Sequence, residues 1–218
     1  MLFTFTKQKL NKKSKKFDLA FNTTQQARSQ KTLSDIIEAA HHIVEMADIE
    51  LFTGRVLAKR AGYSLGTLSK RLISIDKAFL WAITYGQKIH LKKLAEIINE
   101  FNPMLPIETL LTALVESSMA AIVKVNPKVI QFYDSRIIKL GKINKYHQFA
   151  DVLVEPFLNA IERDQTKTFR HLTENELRLI LRTTTIFIER PFVDLDSFAG
   201  SDEHRRIALD NLLRLLRN

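Results

Sequence analysis

The sequence predicts an all-α protein with a three-helix N-terminal head and a larger C-terminal helical body. Three observations carry this. Apolar residues recur three or four apart from Ile36 to Leu216, the spacing of helices with one buried face. No run alternates apolar and polar residues as a half-buried strand does. Lastly, Thr53 to Asp76, TGRVLAKRAGYSLGTLSKRLISID, reads as two short helices joined by a tight glycine turn, which is a helix-turn-helix pattern.

At 218 residues, 45% of them apolar, the chain can bury a substantial core. It has no cysteine, which excludes disulfides, thiolate metal sites and cysteine catalysis. No apolar run is long enough to cross a bilayer. The opening MLFTFT is followed, not preceded, by positive charge, an order that does not suit a secretory signal. A cytoplasmic protein is expected, without a membrane partner.

The net charge is +9, and its distribution is more informative than its size. Met1 to Lys31 carries eight Lys or Arg against one Asp. Within the head, acids gather at Asp35, Glu38, Glu45, Asp48 and Glu50, while Thr53 to Lys77 holds six bases against Asp76 alone. Positive charge so placed suits contact with nucleic-acid phosphates.

Residues 1–30 form a basic, polar arm, read as a solvated tail or as an extra contact to DNA phosphates or the minor groove. Residues 31–77 form the head. Its first helix is expected over Thr32 to Ala47, with Ile36, Ala39, Ala40, Ile43 and Met46 facing the core and His41 and His42 on the polar face. Thr53 suits an N-cap for the second helix. Gly62 suits the left-handed residue that ends it. Ser64 suits the N-cap of a third helix over Leu65 to Leu72.

Residues 78–218 form the body. A long helix is expected from Asp76 towards Phe101, with Trp81 and Tyr85 near the junction of head and body. Pro103 and Pro106 punctuate the chain. Ile107 to Val125 has few charges, which suggests burial. Pro127 to about Leu140 follows, then Tyr146 to about Arg163, started or interrupted near Pro156. Thr173 and Glu176 form a capping box for a helix to Glu189. Arg190 to Gly200, containing Pro191, is expected as a loop. The last helix starts near Ser201, with Asp202 and Glu203 at its positive end.

No Gly-rich phosphate loop and no HExxH is present. Nothing is read as a hydrolase nucleophile elbow of the GxSxG kind. An enzyme is not expected, nor is a cofactor or a metal site.

The helix-turn-helix residues also resemble a family. Ile36, Ala39-Ala40, Thr53, Leu57-Ala58, Ala61-Gly62, Ser64, Gly66-Thr67-Leu68 and Asp76 fall at the offsets of the tetracycline-repressor (TetR) family of bacterial regulators. The pattern carries Tyr where this chain has Ser69, an aromatic at Leu72 and Lys at Ile75. Lys70, Arg71 and Lys77 remain to take over phosphate contact. The resemblance implies that the third helix enters the DNA major groove. The residues expected on that side are Thr53, Arg55, Lys59, Ser64, Leu65, Gly66, Thr67, Ser69, Lys70, Arg71 and Lys77. It implies a homodimer through the last two helices, bound to a near-palindromic operator on double-stranded DNA. It implies a body that binds a small apolar or aromatic effector and thereby releases the operator. Tyr85, Met119, Phe132, Tyr133, Phe149 and Phe157 are the candidate effector contacts, each of which also reads as ordinary core. A ligand-independent or partner-controlled regulator, and an interaction module without DNA binding, are the alternatives.

Overall fold

The computed structural model describes residues 27–46, 51–72, 74–139 and 146–218. Among these, the chain forms nine α-helices and one isolated bridge between Phe169 and Arg217. The helices are α1 (Ala27–Glu45), α2 (Gly54–Arg60), α3 (Leu65–Arg71), α4 (Ile75–Asn99), α5 (Ile107–Ile122), α6 (Pro127–Lys139), α7 (Val154–Arg163), α8 (Glu174–Asp194) and α9 (Asp202–Leu216). A 3-10 segment, Tyr146–Leu153, leads into α7. The charged cluster of the arm lies outside the described residues.

The buried apolar side chains form two clusters. The head core joins Ile36, Ala40 and Ile43 of α1 to Leu57 of α2, Leu68 of α3 and Phe79 of α4. The body core runs from Leu94 and Ile98 of α4 through α5, α7 and α8 to Leu212 and Leu216 of α9. Helix α4 therefore belongs to both. Ala78, Phe79 and Ala82 bury its first half in the head, and Leu94 and Ile98 bury its second half in the body. Helix α6 lies among the body helices in sequence, yet Val129, Tyr133 and Ile137 pack into the head core. Its Arg136 and Lys139 reach Asp76, at the start of α4, at 3.3 and 3.4 Å.

Local signals explain most helix ends. Thr53, Ser64, Ser74, Thr173 and Ser201 each accept a main-chain N–H of the first turn that follows them. Thr173 and Glu176 form the full reciprocal box. At the far end of α4, the Arg163 guanidinium donates to the carbonyls of Asn99 and Ile98 at 3.1 and 3.3 Å. It thereby satisfies acceptors that a helix end leaves bare.

Met46, expected to face the core, is 66% exposed beyond the end of α1, and four further local expectations need correction. First, α1 begins at Ala27 instead of Thr32 and ends at Glu45. Ala27, Arg28, Gln30 and Lys31 are good helix formers, and no Gly or Pro stands before Thr32 to stop them. Second, the segment from Tyr146 is a 3-10 turn before it is an α-helix. Pro156 falls in the first turn of α7, where its missing N–H would have had no partner.

Third, Arg190 to Asp194 is helix, not loop, and Pro191 lies inside α8. Proline removes the donor that would have bonded the carbonyl of Phe187, four residues back. His204 of α9 replaces it, its Nε2 standing 3.0 Å from that carbonyl oxygen. Its Nδ1 accepts the Gly200 N–H at 3.0 Å. With Nδ1 an acceptor, Nε2 is the donor, and the ring satisfies both main-chain groups. The ring is 1% exposed and lies between those of Phe192 and Phe198.

Fourth, His42 is exposed but His41 faces α4, edge-on to Tyr85 at 5.4 Å between ring centres. Burial holds its imidazole below the ordinary value, against the opposing pull of Glu45 at 3.3 Å. Gly86 makes the approach possible, since a Cβ there would stand 2.5 Å from His41 Cε1. Gly86→Ala is therefore expected to cost about 1–3 kcal/mol by overpacking. His41→Ala in the same chain should recover much of that loss. Urea unfolding of both variants checks this, and equal stability of Gly86→Ala and wild type would refute it.

Candidate nucleic-acid interface

Helices α2 and α3 owe their relative placement to the turn between them and the hydrogen bonds that hold it. Ala58 and Lys59 accept the N–H groups of Tyr63 and Gly62 at 2.9 and 3.2 Å, the paired bonds that close a helix through a left-handed residue. Gly62 is that residue, with φ of 75°. The Tyr63 hydroxyl then donates to Asp35 of α1 at 2.7 Å and ties the turn to the head. The same bond raises the Tyr63 phenol above its ordinary value. Ser64 Oγ accepts the Thr67 N–H at 3.1 Å and lies 2.9 Å from Thr67 Oγ1, which starts α3. Sequence reading gave Tyr63 no role. Its partner lies twenty-eight residues away, and no local pattern marks such a contact.

Gly62 to Gly66 also spells GxSxG, the letter pattern of a hydrolase elbow that the sequence reading passed over. The elbow places its serine on a strained strand-to-helix turn. Here the serine joins two helices, and its oxygen serves as an N-cap.

The expected DNA-side residues come together on this unit. The N-caps Thr53 and Ser64, Arg55 and Lys59 of α2, and Leu65, Gly66, Ser69, Lys70 and Arg71 of α3 are exposed. Thr67, and Lys77 at the start of α4, are half-buried. Arg55, Lys59 and Lys70 form no ion pair with another described residue. Arginines of the body are tied up by contrast. Arg182 holds Asp151 at 2.6 Å through Nε, Arg190 holds Asp194, and Arg205 bridges Asp202 and Glu116.

The residues that depart from the family pattern are accommodated in different ways. Leu72 is 8% exposed, within the head core. Ile75 packs at the start of α2, 3.4 Å from where a Gly54 Cβ would be. Ser69 stays exposed. Gly66 has open space around it, since a Cβ would meet only Ser64 Oγ, at 3.8 Å. Gly66→Ala should thus leave folding intact, or add up to about 1 kcal/mol through helix propensity. If α3 presses on DNA, the same change should weaken binding. Parallel melting and DNA-titration curves check this, and loss of stability in Gly66→Ala would contradict it.

The candidate effector contacts do not converge. Met119 and Phe157 are buried in the body core. Phe132 and Tyr133 of α6 belong to the head, with Phe132 edge-on to Phe79 at 4.8 Å and beneath Arg136 at 4.1 Å. Burial pushes the Tyr133 phenol up to about 12. Tyr85 lies beside His41, and Phe149 is half-buried on the 3-10 segment. An open groove of about 490 Å³ runs along Pro106, Glu108, Thr109, Thr112 and Ala113. A smaller one, about 170 Å³, is lined by Ile43, Met46, Leu51, Val56 and Arg60. Neither takes any of the six candidates. Among the described residues, no group of His, Asp and Glu could hold a metal ion, and no helix is long and apolar enough to cross a membrane.

No family model and no curated protein matches the chain. Among solved structures, it is similar to a TetR family transcription regulator from Marinobacter aquaeolei VT8, with a TM-score of 0.51. That likeness covers 88% of this chain and 98% of that one, at 15% identity. The chain thus carries the all-helical fold of a TetR family transcription regulator, with α1 to α3 as its helix-turn-helix head.

Proposed function

We propose that this protein is a sequence-specific DNA-binding transcription regulator of the TetR type, acting in the cytoplasm as a homodimer. The observation that carries this is the exposed surface of α2 and α3. Arg55, Lys59 and Lys70 stand there without carboxylate partners among the described residues, on a unit whose third helix has an exposed outer face. Cations left without partners are available to neutralise phosphates and displace their counterions.

A second copy suits the exposed apolar face of α8. Leu179, Ile186 and Phe187 lie about two turns apart at most and are 63, 50 and 40% exposed. Burying them against the equivalent face of a partner gives two heads related by a two-fold axis, as a near-palindromic operator requires. Occupation of the operator would repress by excluding polymerase.

Release by a small apolar effector would act through α4, which lies in both cores, and α6, which holds Asp76. Coupling of about 1–3 kcal/mol is typical of such effects. The spread of the six candidate contacts over two cores favours a second reading, control by another macromolecule or by none. A thermal-shift screen with apolar and aromatic compounds separates the two. A ligand that binds the folded state raises its melting temperature, whereas a protein without a pocket shows no gain.

The test of the main reading is binding of the purified protein to its own upstream DNA and to an unrelated duplex, at several salt concentrations. Preference for the upstream DNA supports a self-regulating factor. Absence of binding to any duplex, including those of a random pool, rejects DNA binding.

A further inference from the structure

We propose that Leu65 reads a thymine through its C5-methyl group, and is the specificity-determining residue of α3. This rests on the DNA-binding reading above. In a helix-turn-helix the early residues of the second helix meet the base edges, whereas flanking residues hold phosphates. Bases are read by bidentate hydrogen bonds from Arg, Lys, Asn or Gln, or by apolar contact with the thymine methyl. The first turn of α3 has no bidentate group, because it reads Leu65, Gly66, Thr67 and Leu68. Ser64 and Thr67 direct their hydroxyls at one another, 2.9 Å apart. Gly66 contributes no side chain, and Leu68, at 2% exposure, faces the core.

That leaves Leu65, which is 49% exposed at the start of the helix. The head does not need this surface for its own packing. Its Cδ1 lies 3.4 Å from where a Gly54 Cβ would be. The exposed cations of the same two helices include Arg55, Lys59 and Lys70, whose charge suits a polyanion and not an apolar protein partner. On a polyanionic duplex, the apolar feature presented in the major groove is the thymine methyl. The open space at Gly66 lets the helix approach closely enough for contact.

The experiment uses full-length protein and duplexes it selects from a random pool. Each thymine of the selected half-site is replaced in turn by deoxyuridine, which removes the methyl and leaves every hydrogen-bonding group. Wild type is expected to lose about fourfold in affinity at one position per half-site, the worth of one buried methyl. Leu65→Ala should bind the thymine and uracil duplexes equally at that position. If no position responds to the loss of the methyl, or if Leu65→Ala keeps the response, the proposal is overturned while DNA binding stands. If the protein enriches no duplex, both readings fall. The wild-type comparison needs no variant, so misfolding cannot obscure the result.

Discussion

Replacing Lys70 and Arg71 together by alanine is expected to lower affinity for operator DNA by roughly a hundredfold at moderate salt. Both lie in the last turn of α3, both are exposed, and neither belongs to the head core. Their loss should therefore leave the melting temperature nearly unchanged, as surface substitutions do. A phosphate contact also has a signature that a structural role lacks. Each one lost should flatten the slope of log affinity against log salt by about one. Titrating a labelled duplex across a range of salt gives affinity and slope in one experiment. Unchanged affinity and slope in the double variant would remove α3 as the DNA-facing helix.

Replacing His204 by alanine is expected to destabilise the protein by about 3 kcal/mol or more. The substitution empties a site between Phe192 and Phe198, and it leaves the Phe187 carbonyl and the Gly200 N–H without their partner. Burying a main-chain polar group unpaired costs about 1–3 kcal/mol, in addition to the cavity. His204→Phe fills the volume and restores neither hydrogen bond, which separates the two contributions. Pro191→Ala supplies a main-chain N–H four residues beyond Phe187, the donor that the helix otherwise lacks. In the His204→Phe chain it should therefore recover part of the loss. Urea unfolding at one fixed protein concentration measures all four chains. A His204→Ala protein within about half a kcal/mol of wild type would mean that the site relaxes freely.

The head was legible because its signals are local. The hydroxyls of Thr53 and Ser64 need only the N–H three residues on, and Gly62 needs only its own freedom at positive φ. The exposed cations of α2 and α3 could be read from helical spacing against Leu57 and Leu68. Other residues were not legible in this way. Tyr63 depends on Asp35, His41 on Gly86, and Asp76 on Arg136 and Lys139. Nothing in the flanking sequence announces such partners. The candidate effector residues show a related difficulty, because aromatic and thioether side chains at helical spacing suit a core and a pocket equally. Helix periodicity cannot tell which cluster a face will join. Phe132 and Tyr133 joined the head, whereas Met119 and Phe157 joined the body.

By itself the sequence determined the all-helical class, the helix-turn-helix, its caps and the placement of positive charge upon it. Each of these follows from side chains acting on main-chain groups within about one turn, or from periodicity within a single helix. Tertiary structure decided where α8 ends, because the carbonyl that Pro191 leaves without its donor is met by His204 of α9. It also decided that α4 and α6 join head to body, because which faces meet depends on how several amphipathic helices bury their apolar surfaces at once.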